Sequence, residues 1–120
     1  MKRILVALCM MIAATAAHAK KAGPNGGMLA GKSGHEIELV VGASELTIYM
    51  IDHGKAHSVK GVKLRAIVQQ GGKQKVVTLT QVGNEKLVGK LAAPLAKGAI
   101  VVVTGKDDHG DALSARFTIK

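Results

Sequence analysis

His35-Glu36-Ile37-Glu38-Leu39-Val40-Val41-Gly42-Ala43-Ser44-Glu45-Leu46-Thr47-Ile48-Tyr49-Met50-Ile51 decides the fold class of this chain. Apolar residues recur at every second position, Ile37, Leu39 and Val41 before the break and Leu46, Ile48 and Met50 after it. A period of two belongs to a half-buried strand, because successive side chains on a strand point to opposite faces; a helix needs a period of 3.6. Gly42-Ala43-Ser44 is turn chemistry between the two runs. The stretch therefore predicts two antiparallel strands, each laying one face on a core.

The same pattern extends towards the carboxyl end. Leu64, Ala66 and Val68 repeat the alternation, and Gly71-Gly72 marks a hairpin turn, since glycine reaches positive φ without a Cβ clash. Lys75 to Thr80 reads as a strand, followed by a turn at Val82-Gly83-Asn84 and another strand from Lys86 to Leu91. After Pro94, the valines of Ile100 to Thr104 predict a strand covered on both faces. Lys106 to Gly110 turns, and Leu113 to Ile119 closes the chain. Seven short strands, regularly spaced turns and no amphipathic helix point to an all-β immunoglobulin-like antiparallel β-sandwich, with a small barrel as the alternative. Tyr49 and Phe117 are the only rings besides histidine, so aliphatic residues must fill the core.

The amino-terminal segment reads differently. Lys2 and Arg3 precede an apolar run from Ile4 to Ala14, and Ala17-His18-Ala19 is a small-x-small cleavage signal. That is the pattern of a secretory signal peptide, too short to be a membrane span. The expected organisation is a signal peptide over 1–19, a glycine-rich arm over 20–34 in which Met28-Leu29-Ala30 can add an edge strand, and a β-sandwich domain over 35–120. The expected location is the periplasm. Cleavage after Ala19 removes Cys9, the single cysteine, so disulfides contribute nothing to the exported domain.

The formal net charge of +9 falls by two when Lys2 and Arg3 are removed, and the remaining basic residues are scattered rather than clustered. This is a solvated basic surface. Nucleic acid is an unsuitable partner, because the chain lacks the aromatic platforms on which single strands stack. Catalysis is not expected either. There is no G-x-S-x-G and no cysteine nucleophile beyond Cys9, and Ser44, Ser58 and Ser114 occupy turn or strand contexts. The run from Gly26 through Gly31-Lys32-Ser33 has the residue count of a phosphate loop, but no helical pattern follows it.

Four histidines remain after cleavage: His35, His53, His57 and His109. Asp52-His53-Gly54 recurs as Asp108-His109-Gly110, each at the end of a predicted strand. If seven strands alternate in direction, the starts and ends that carry these histidines all fall at one end of the sandwich. Asp52, Asp107, Asp108 and Asp111 fall there too. Converging imidazoles and carboxylates are what copper or zinc binding requires. His35, His53, His57 and His109 are the candidate ligands, with Asp52 and Asp108 as further ligands or as groups that orient the imidazoles. Imidazole must be neutral to ligate, so such binding weakens under acid conditions.

Gly23-Pro24-Asn25-Gly26-Gly27, then Glu36 to Val40, then Tyr49 with Asp52-His53-Gly54-Lys55, resembles a group of small exported proteobacterial proteins, some of which occur beside heavy-metal efflux systems. Many of them carry a histidine directly before the Gly-Pro-Asn-Gly-Gly stretch; this chain has Ala22 there. The resemblance implies export, a β-sandwich and a role in metal handling. The expected function is a periplasmic metal-binding or metal-resistance accessory whose partner is an efflux or envelope protein. The alternative is an adaptor module that docks on an envelope protein or anionic surface without metal.

Overall fold

A computed structural model describes residues 21–32 and 34–120. The expected signal peptide and cleavage site, and Cys9, lie outside the described residues. Eleven strands form: β1 (Lys21–Ala22), β2 (Met28–Lys32), β3 (His35–Val41), β4 (Glu45–Asp52), β5 (Lys55–His57), β6 (Lys63–Gln70), β7 (Lys73–Val77), β8 (Thr80–Val82), β9 (Lys86–Lys90), β10 (Ile100–Lys106) and β11 (Ala112–Thr118). One sheet runs β1-β2-β3-β4-β9-β8, with β5 paired to the end of β4; the other runs β11-β10-β6-β7. Every pairing is antiparallel. Equating β3, β4, β9 and β8 with strands A, B, E and D, and β6, β10 and β11 with C, F and G, reproduces the order of an immunoglobulin-type sandwich. Among the described residues, no helix is long and apolar enough to cross a membrane.

The alternation found in the sequence is the alternation that packs. Ile37, Leu39, Leu46, Ile48 and Met50 of one sheet face Ala66, Val68, Val101, Val103 and Phe117 of the other, and all are buried. Phe117 is the ring inside; Tyr49 lies on the opposite face of β4, half-buried beside Glu38. β2 packs against β11 and closes one flank.

Four details differ from the expectation. First, the edge strand expected at Met28-Leu29-Ala30 forms as β2 but runs on to Lys32, and β1 pairs outside it. Second, the predicted strand from Lys75 to Thr80 is two strands. It leaves one sheet after Val77 and joins the other at Thr80, since the sheets diverge along that flank. Third, β5 is an extra short strand returning along β4. β5 runs in the same direction as β6, and β8 in the same direction as β7, so neither inverts the up-down order. Fourth, β10 is covered on one face only: Val101 and Val103 are buried, whereas Ile100 and Val102 are half-buried, because its continuous valines sit in an outer layer with no third sheet. Gly31 and Lys32 lie in β2, paired with β3, so that segment makes no phosphate-binding turn before a helix.

Glu38 is the one buried charged residue among those described, with no exposed surface. Alternation puts it on the outer face of β3, where the Gly23–Gly27 loop folds over it. Its Oε2 accepts hydrogen bonds from the backbone N–H of Asn25 and of Gly27, both at 2.8 Å, and its Oε1 accepts one from Asn25 Nδ2 at 3.0 Å. The Gly-Pro-Asn-Gly-Gly motif is therefore a cradle for a carboxylate. Gly23 must lack a side chain, because a Cβ there would overlap the Glu38 side chain.

Candidate functional site

Inward-facing stripes of the strands run past the last core layer and become polar. The Ile37-Leu39 stripe begins at His35, and the Leu46-Ile48-Met50 stripe ends at Asp52. His35 and Asp52 are directly paired across β3 and β4, and His57 is paired with Met50 across β4 and β5. On the facing sheet, the Val101-Val103 stripe continues through Gly105 to Asp107 in the β10–β11 loop. The result is a cleft of about 380 Å³ at the open end of the sandwich, lined by His35, Asp52, His57, Asp107, Asp108 and His109 among others, with Met50 on its wall. Asp111 lines it too, so all four aspartates of an otherwise basic chain meet here.

The turn Asp52-His53-Gly54-Lys55 joins β4 to β5 with two central residues. His53 has φ 51° and Gly54 φ 82°, the paired positive values of a type I′ hairpin turn. His53 is the only non-glycine residue with positive φ among the described residues. The left-handed region costs an L-residue with a Cβ roughly 1–2 kcal/mol. Its N–H donates to the Gly34 carbonyl at 3.0 Å, which ties this turn to the start of β3.

The geometry gathers three donors. Asp52 Oδ1 lies 3.6 Å from His35 Nδ1 and 3.6 Å from His53 Nε2. That oxygen is buried and has no hydrogen-bond partner among the described residues. One ligand atom from each of the three residues lies within 4.8 Å of the other two. The His35 and His53 rings meet edge to face, with centroids 5.7 Å apart.

The second Asp-His-Gly has a different local structure. Asp107 Oδ1 accepts hydrogen bonds from the backbone N–H of His109 at 2.9 Å and of Asp111 at 2.8 Å, so Asp107, not Asp108, caps this loop. The Asp111 hydrogen bond, more than any other influence, holds the Asp107 carboxyl below its ordinary range; the His109 N–H and the charges of His109 and His35 act in the same direction, against partial burial. Asp107, Asp108 and His109 form a second group whose ligand atoms lie within 4.8 Å of one another.

The expected residues are thus all at one end, but they do not form one centre. His35, Asp52 and His53 are one group, and Asp108 and His109 belong to another with Asp107. His57 lines the cleft outside both groups. Its Nδ1 is 2.8 Å from the Ser58 carbonyl, which can only accept, so in the neutral ring Nδ1 carries the proton and Nε2 the lone pair. Asp107 is absent from the expected ligands; its position on the inward stripe of β10 is the signal that marks it. Comparison with family models, with curated proteins and with solved structures found no match to this chain.

Proposed function

We propose that this chain is an exported, periplasmic metal-binding protein that takes Zn(II) or Cu(II) at His35, Asp52 and His53, as an accessory to metal resistance or efflux. The observation that carries the reading is Asp52 Oδ1, buried, without a hydrogen-bond partner among the described residues, and 3.6 Å from an imidazole nitrogen on each side. A buried polar atom without a hydrogen-bond partner is costly, and a bound cation would satisfy it. Zinc about 2.1 Å from each donor in tetrahedral geometry would separate the donors by about 3.4 Å, close to the 3.6 Å from Asp52 Oδ1 to each imidazole nitrogen. Two imidazoles and a carboxylate leave a fourth position open, and the cleft provides His57 Nε2, the second carboxylate group or water to fill it. Gathering every aspartate of a basic protein into this cleft supports attraction of a cation.

Calorimetric titration of the full protein with Zn(II) and with Cu(II) at neutral pH tests the reading. One ion should bind, and Asp52→Asn and His35→Ala should each weaken it by tenfold or more while circular dichroism stays unchanged. The reading is wrong if neither metal binds more tightly than about 1 mM, or if both variants keep the parent affinity.

A further inference from the structure

The flank opposite the β2–β11 closure is open. Here β7 ends one sheet and β8 ends the other, so both strands leave one backbone edge unpaired among the described residues. Val76 and Val82, 59% and 46% exposed, are the large exposed hydrophobic residues among those described, and both lie on this segment. A groove of about 540 Å³ runs between the sheets, walled by Val68, Val77, Leu91 and Leu95. Lys73, Lys75 and Lys90 line it, and no acidic residue does. A shallower depression that shares Val76, Val77 and Lys90 continues it to Val82. The register Val68↔Lys75 and Gln70↔Lys73 puts both β7 lysines on the face of the sheet that looks towards the core, and Val76 on the outer face.

We propose that β7 is a docking edge, onto which an extended segment of a partner protein carrying apolar and acidic residues adds as a fifth strand of this sheet. Free backbone N–H and C=O groups supply the pairing, and side chains at alternate positions supply the selection. The face of the incoming strand that enters the groove would meet Val77, Lys75 and Lys73, which calls for one apolar and two acidic residues. Its outer face would meet Val76, which calls for an apolar one. A second copy of this chain fits poorly. Antiparallel pairing of β7 about its centre sets Lys75 against Lys75, and like charges directly opposite destabilise a strand pair. Inward-pointing lysines also guard an edge against indiscriminate pairing, which leaves acidic strands as the selected class.

The test is an NMR titration of the full protein with the blocked peptide Thr-Val-Val-Glu-Thr-Glu-Thr, and with a control peptide that has lysine in place of both glutamates. The acidic peptide should shift the amide resonances of Lys73 to Val77 and protect β7 amides from exchange, and the control should not. The double variant Lys73→Glu, Lys75→Glu should lose at least tenfold in affinity for the acidic peptide and gain the lysine peptide. Both substituted positions are exposed, so the parent spectrum elsewhere reports an intact fold. The proposal is overturned by no binding at about 1 mM peptide, by equal binding of both peptides, or by shifts confined to other strands. It is equally overturned if the β7 resonances respond to protein concentration alone, which means self-pairing, or respond to vesicles containing anionic lipid and not to the peptide.

Discussion

Glu38→Gln perturbs the one fully buried charged side chain among the described residues while preserving its shape. The carboxylate accepts three hydrogen bonds of 2.8–3.0 Å, two from backbone and one from a side chain. Hydrogen bonds to a charged group contribute about 1.5–3 kcal/mol each, roughly twice a neutral one. A glutamine can turn its one oxygen towards the two backbone donors, and Asn25 can rotate its amide to meet the new NH2 group, so the pairing survives in neutral form. Losing about half of the charge-assisted contribution gives a cost of about 2–4 kcal/mol. A domain of this size has only about 5–15 kcal/mol in total, and each kcal/mol is worth roughly 4–8 °C in Tm. The midpoint should therefore fall by about 10–30 °C. Urea unfolding followed by circular dichroism measures the change, and an unaltered m-value identifies it as stability rather than altered compactness. A variant within about 0.5 kcal/mol of the parent, the range of ordinary surface substitutions, refutes the view that the amino-terminal loop is built around this carboxylate.

Two further outcomes concern the cleft. His53→Asn places the favoured Asn-Gly pair in the type I′ turn, so stability should rise by about 0.5–1 kcal/mol while metal affinity drops; thermal melts with and without Zn(II) separate the two effects, and a loss of stability in the metal-free protein counts against the strained-turn reading. Asp107 has a folded-state pKa below its unfolded value, so its hydrogen bonds stabilise the fold above an unfolded pKa of about 3.9 and that contribution disappears as pH falls through the lower folded value. NMR titration of the Asp107 carboxyl should give a midpoint below that of an exposed aspartate, with the largest part of the displacement lost when the Asp111 amide moves away; a midpoint at or above the exposed value contradicts the capping geometry.

The cleft was partly legible in the residue pattern. Counting strand directions places His35, Asp52, His53, His57 and His109 at one end, and the count survives because β5 shares its direction with β6, the next strand in the chain, and β8 with β7, the one before it. Glu38 was not legible. Alternation assigns it to the outer face of its strand, and the loop that buries it comes from residues 11–13 positions earlier in the chain, beyond the reach of any local pattern. The two Asp-His-Gly tripeptides look alike in sequence. One is a two-residue hairpin with two positive φ values; in the other, Gly110 alone is positive and Asp107 makes the capping bonds.

Periodicity alone determined that this is a β protein with one aliphatic interior, because strand alternation is a local property that each short segment expresses independently. It also determined which residues stand at the ends of the inward stripes. Which of them meet was decided by the tertiary structure. The pairing of His35 with Asp52 depends on the β3–β4 register, the approach of His53 on a left-handed turn, and the separation of His109 on the gap between two sheets. Those distances are set by packing across the whole sandwich, where a shift of one residue in register would turn every donor to the other face.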